Sequence, residues 1–198
     1  MSESVWLDEV DRGLIQELKR SIKIRNQSGE YVSLPDNAFV VRKAEEEFKI
    51  ETFPCVSIFN RSFSHDIIRH LGELYPITIE KSGEKVRVEQ QAIPFNLNYQ
   101  IDFWAKYKED INDMSFTWLA EHFRQFNLPV TDKSGVIRSC NVLSKGSMFN
   151  SDITQELERI YHSIGNYLIW VEIDENISYN VDTVKTINID LRGGNSND

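Results

Sequence analysis

One stretch constrains this chain more than any other. In residues 93–114, "IPFNLNYQIDFWAKYKEDINDM", the odd positions Phe95, Leu97, Tyr99, Ile101 and Phe103 are apolar, and the even positions Asn96, Asn98, Gln100 and Asp102 are polar. Alternation with a period of two marks a strand with one face in a core and the other outside it. The strand is expected to span about 95 to 107. It then changes period without a linker. Glu109 and Asp110 stand where carboxylates meet the positive end of a helix dipole. Ile111, Met114, Ser115, Trp118, Leu119, His122, Phe123 and Phe126 mark one face of a helix reaching about 126, and Pro129 just beyond is a normal stop. The odd strand face should meet helices. The even face, with Asn96, Asn98, Gln100, Asp102 and Trp104, should face solvent, a lumen or another subunit.

Leu7, Val10, Leu14, Leu18 and Ile22 recur at helical steps, so residues 4–24 are expected to form an amphipathic helix with Ser4 as its N-cap. Gly13 weakens that helix and suggests that a neighbouring strand or chain crosses it closely. A polar loop from Arg25 to Asn37 should follow, then strands at 39–41 and 55–60. Residues 77–89, "ITIEKSGEKVRVE", read as a β-hairpin turning at Lys81-Ser82-Gly83-Glu84, projecting from the domain or lying at a sheet edge. Strands are expected at 135–143, 164–174 and 183–191. Residues 152–163 fit either a helix or an extended arm. The sum is α+β: a mostly antiparallel β-sheet with two helices packed on one face and a projecting β-hairpin. It forms one domain over residues 1–192, with a polar, flexible tail at 193–198.

Composition bounds the function. Hydrophobic residues at 40% permit a packed core, and no apolar run approaches the ~20 residues of a membrane helix. Residues 1–4 lack the basic and apolar regions of a signal peptide, so cytoplasmic synthesis and no membrane partner are expected. A net charge of −9, from 31 acidic against 22 basic residues, argues against a nucleic-acid grip. It does not exclude a protein that lets DNA pass, because an acidic lining repels phosphates and prevents sticking. Cys55 and Cys140 are expected to be buried free thiols.

No motif in the chain carries chemistry. His65 and His70 are five apart, which suits neither a helical nor a strand metal pair, and His122 falls on an apolar helix face. Ser64-His65-Asp66 holds the residue types of a hydrolase triad, but triads are assembled from distant segments. The acidic clusters at 45–47 and 172–174 lack the spacing of a calcium loop. Phosphate-loop and dinucleotide-binding signatures are missing. No catalytic, cofactor or metal residue is therefore assigned, and a binding or assembly protein is the expectation.

The segment "PFNLNYQIDFWAKYKEDINDM" resembles a pattern in the tail terminators and sheath-capping proteins of long-tailed phages. It carries a Pro-aromatic-Asn opening at Pro94, Phe95 and Asn96, an aromatic-basic-aromatic ending at Trp104, Lys106 and Tyr107, and an acidic helix start at Glu109, Asp110 and Met114. "FPCVSIFN" is similar to that family's apolar strand after a proline. The resemblance covers roughly half the chain. It implies a subunit of a hexameric ring that caps the tail tube and joins it to the neck, with tube, sheath and head-tail connector proteins as partners and the virion as destination. A baseplate or adaptor subunit of a phage tail or contractile injection system is the nearest alternative, and a small hydrolase or nuclease a remoter one. Interface residues are expected at Lys81, Lys85 and Arg87 on the hairpin and at Asn96, Asn98, Gln100 and Trp104 on the even strand face.

Overall fold

A computed structural model describes residues 4–42, 50, 52–72, 78–82, 85–89, 93–131, 135–146, 148–155, 158–173 and 178–182. Helix α1 (Ser4–Ser21) leads into a small hairpin, β1 (Lys23–Arg25) and β2 (Tyr31–Ser33). Strands β3 (Phe39–Arg42) and β4 (Cys55–His65) follow, then a short helix α2 (Ile67–Gly72) and the pair β5 (Thr78–Ser82) and β6 (Lys85–Glu89). β7 (Ile93–Ala105) feeds α3 (Lys108–His122). After it come β8 (Gln125–Thr131), β9 (Ile137–Ser144), β10 (Phe149–Asn150), β11 (Ile153–Gln155), β12 (Glu158–Ile173) and β13 (Ser178–Asp182).

The main sheet has the order β3-β4-β7-β12-β9-β8, with β10 and β11 also paired to β12. Its ladders are antiparallel except β3 with β4. Helices α1 and α3 lie on one face. The architecture is the α+β arrangement expected, an antiparallel sheet with two helices on one side.

The odd residues of β7 point into that helix side: Leu97, Tyr99, Ile101, Phe103 and Ala105 are all buried. From α1, Val10, Leu14 and Leu18 meet them with no exposed surface, as does Ile22 just past the helix end. Each such side chain contributes about 1.5–3 kcal/mol as an upper bound. Trp118 of α3 donates a 2.7 Å hydrogen bond from its indole N–H to the Tyr167 hydroxyl, which pins the helix to β12. Gly165 makes room beneath that tyrosine, since a Cβ there would lie 2.8 Å from the ring. Gly13 does allow a close crossing. A Cβ on it would sit 3.0 Å from the Pro129 carbonyl oxygen and 3.3 Å from Val130, both on β8.

Several local expectations are corrected. The first helix ends at Ser21, and the polar loop after it contains the β1–β2 hairpin, whose turn uses Gly29 at φ 83°. The 55–60 strand extends to His65, and α2 is a third helix. Helix α3 stops at His122. Phe123 is 65% exposed, and Phe126 belongs to β8, packing edge-on against Trp118 with centroids 5.6 Å apart. Pro129 lies inside β8, an edge strand where a missing N–H is tolerated. The stretch 152–163 is extended in its described residues, because β11 folds back on β12. The expected strand at 183–191 and the tail at 193–198 lie outside the described residues.

Candidate functional site

The second face of the main sheet carries Asn96, Asn98 and Gln100. In register across it stand Ser62 with Asn98, Asn98 with Leu168, Gln100 with Asn166, and Asn96 with Trp170. Paired residues share a face. Asn96, Asn98, Gln100, Ile164, Asn166, Leu168 and Trp170 are all half-buried. Among the described residues α1 and α3 pack only on the opposite side.

A polar row crosses the middle of this face. The Asn98 side-chain amide donates to Ser62 Oγ at 2.9 Å, and the Lys145 ammonium donates to Asn98 Oδ1. The Arg61 guanidinium donates to Asn166 Oδ1 at 3.5 Å. Arg61 is the extra residue of a β-bulge in β4, between the pairs Asn60–Tyr99 and Ser62–Asn98. A bulge re-aims the strand and its side chains. These residues, with Tyr99 and Tyr167, line an open cleft of about 410 Å³ that contains two cations and no carboxylate. Burial raises the Tyr99 phenol strongly, aided by nearby Asp11, and pushes Tyr167 up to about 12. Both therefore stay neutral in ordinary buffers.

Toward the C-terminal end of β7 the same face closes over. Asp102 is fully buried, and Trp104 is 7% exposed. This corrects the expectation that both lie on an open polar face. Trp104 joins Cys55 and Ile160 in a second, smaller core backed by Val40, Ile50 and Phe53. Its indole N–H donates to Ser57 Oγ at 3.1 Å, and its ring stacks on His162 with centroids 3.5 Å apart. Asp102 accepts from Arg42, from the Gln100 amide at 2.8 Å and from His162 Nε2 at 3.0 Å. The His162 Nδ1 atom is buried and has no partner among the described residues.

The fold thus brings Asn96, Asn98 and Gln100 together and buries Trp104. Lys81, Lys85 and Arg87 belong to a separate three-stranded sheet, β13-β6-β5. Its ladder sets Lys81 opposite Val86, Lys85 opposite Ser82 and Arg87 opposite Glu80. β13 holds the hairpin from its other edge, a partner within the chain that sequence reading missed. Arg61, Lys145, Asn166, Arg42 and His162 were missed as well. Two of these had a signal: His162 and Asn166 are even positions in 158–172, where the odd positions Tyr161, Ser163, Gly165, Tyr167, Ile169 and Val171 face the helices. Arg42 and Lys145 had none.

The remaining candidates are already engaged. The chain order Ser64-His65-Asp66 makes no triad, because Ser64 and His65 alternate along β4 and the Asp66 carboxylate accepts from the Arg69 backbone N–H at 3.1 Å and guanidinium at 2.8 Å. Those bonds hold Asp66 below the usual carboxylate range. Glu17, Glu121 and His122 bring three potential metal ligands within 4.8 Å. Glu17 accepts from Arg20 and faces His122 Nε2 at 2.9 Å, while Glu121 accepts from Arg20 and from Ser21 Oγ, each at 2.9 Å. With Arg20 already supplying a positive charge, the cluster reads as an ionic clasp between α1 and α3. Cys55 and Cys140 are buried free thiols, and burial pushes each up to about 11, which keeps them unreactive. The acidic run at 45–47 lies outside the described residues, and Glu172 is exposed. Among the described residues no helix is long and apolar enough to cross a membrane. A comparison with protein-family models and with curated proteins finds no match to this chain.

Proposed function

We propose that this chain is a structural subunit of a phage tail: a terminator or completion protein that assembles as a ring, caps the tail tube and joins it to the neck. The observation that carries the reading is the half-buried middle of the sheet face opposite the helices, around Asn98, Gln100, Asn166 and Leu168, which neither α1 nor α3 covers. A sheet sheathed by helices on one side and left with amides, apolar side chains and cations on the other has a surface suited to a second protein. The resemblance of residues 94–114 to tail terminators and sheath-capping proteins supports the particular machine. The acidic total suits a passage through which DNA moves without sticking. Among the described residues, neither the cleft nor the buried polar cluster pairs a nucleophile with a base, which favours an assembly role over catalysis.

Mass photometry and negative-stain electron microscopy of the purified chain test the reading. A closed ring at several multiples of 23.1 kDa is expected, and a monomer at every concentration would remove it. Labelling on intact particles separates the head end of the tail from the distal end, where a baseplate or adaptor subunit would sit. Hydrolase and nuclease assays, with and without divalent metal, are expected to stay at background.

A further inference from the structure

We propose that the outer face of α3 in one copy of this chain docks onto the middle of the sheet face opposite the helices in a second copy, its acidic first turn seated at the cleft between Arg61 and Lys145. This rests on the ring reading above and names the contact that would build the ring.

Among the described residues, two surfaces on the protomer lack partners and complement each other. The first is the cleft. Arg61 and Lys145 are exposed, and among the described residues their side chains bond to the neutral amides of Asn166 and Asn98 alone. No described carboxylate neutralises either one, in a chain whose acids outnumber its bases by nine. A neighbouring copy is therefore a ready source of carboxylates. Beside the cleft, Ile164 and Leu168 are half-buried and offer apolar contact.

The second surface is the helix. Glu109, Asn112 and Phe116 are exposed at three- and four-residue steps along the side of α3 that faces away from the sheet, and Phe123, its C-cap, continues the row seven residues on. Phe116 and Phe123 are each 65% exposed, an apolar stripe that the monomer leaves uncovered. Asp110 neighbours Glu109 and Asp113. Burial and these like charges raise its pKa, a repulsion that incoming cations would relieve. Helix on sheet is also the packing that the opposite side of this sheet already uses. The cleft and the outer face of α3 lie on opposite sides of one protomer, so the contact is head-to-tail. It can close only by rotation through successive copies.

The test uses the full chain and two charge-reversed variants, Arg61→Glu/Lys145→Glu and Glu109→Lys/Asp110→Lys. Circular dichroism and Tm check that each folds, and mass photometry across a concentration series reads assembly. Each variant is expected to need on the order of tenfold or more protein for half-assembly. Mixed together they are expected to assemble again, because a reversed cleft accepts a reversed helix and alternating copies satisfy every contact. If a charge variant fails to fold, Phe116→Ser/Phe123→Ser probes the same face through exposed residues and is expected to weaken assembly comparably.

Assembly that ignores all three variants would overturn the contact and leave the ring reading standing. Loss in both charge variants without restoration on mixing would overturn the pairing of these two surfaces. A two-fold dimer would overturn both the contact and the ring, because surfaces on opposite sides of a protomer cannot both meet one partner across a two-fold axis. A monomeric wild type would overturn both. If Arg61→Glu/Lys145→Glu abolished retention on DNA while leaving assembly intact, the cleft would be a phosphate site and the proposal would fall.

Discussion

Phe103 and Asn98 lie five residues apart on one strand and meet opposite surroundings. Phe103 is sealed between the sheet and the helices, so Phe103→Ala is expected to cost about 3–5 kcal/mol in urea denaturation. Asn98 bonds to Ser62 and Lys145 on the open face, where water can replace both partners, and Asn98→Ala should cost about 1 kcal/mol or less. Asp102 shares the even positions with Asn98 but is fully buried against Arg42. Asp102→Asn keeps the shape and removes the countercharge of a guanidinium that is 19% exposed. A loss of about 2–4 kcal/mol is expected, less than for a fully buried pair because water reaches Arg42. Glu17 gives the pH dependence. Its hydrogen bond from Arg20 holds its carboxyl below the usual 4.5, against the effect of burial and with help from His122. A depressed folded-state pKa adds stability above the unfolded value, and that stability disappears as pH falls through the folded one. Asp11 works the other way, since burial raises it and acid relieves its cost. Tm measured downward from about pH 5 should therefore fall less steeply for Glu17→Gln than for the wild type.

Among the elements, the crossing of α1 and β8 is the tightest. Gly13→Ala would gain about 1 kcal/mol of helix propensity on an open surface. Here the new methyl would press on a main-chain oxygen 3.0 Å away, and a net loss of about 1 kcal/mol is expected by thermal or urea denaturation. The helix and the need for close approach were legible in the sequence because both are local: five apolar residues at helical steps and one glycine among them. The partner was not legible. β8 carries Pro129, which reads as a helix stop, and Phe126 continues the periodicity of α3 by coincidence of spacing. Only pairing with β9 makes 125–131 a strand. The two faces of β7 were legible in their odd half, whose burial the alternation itself encodes. The burial of Asp102 and Trp104 was not, because it is produced by Arg42, Ser57 and His162, some 40 to 60 residues away in either direction. The cleft stayed hidden for the same reason: Arg61 reaches it through a bulge and Lys145 from the end of β9.

At the scale of the whole molecule the chain builds a large sheet and a separate small one, the latter closed by β13 from far downstream. The buried core is drawn from the α1, β3, β4, β7, α3, β8, β9 and β12 region. Replacing residues 80–85 by a Gly-Ser turn is therefore expected to leave that core folded by circular dichroism while weakening particle assembly, most visibly at low salt where charge pairs are least screened. A normal assembly titration for this variant would make the hairpin dispensable. The ladder of β7 with β12 has a mechanical consequence. Thirteen successive residue pairs run without a break from Tyr161–Ala105 to Ile173–Ile93, a length of roughly 40 Å. A pull along that axis loads every cross-link of the ladder together, in shear, whereas a pull across it peels them one at a time. The molecule should accordingly be stiffest along its two longest strands and yield first at its edges, where β8 has a proline in place of one donor.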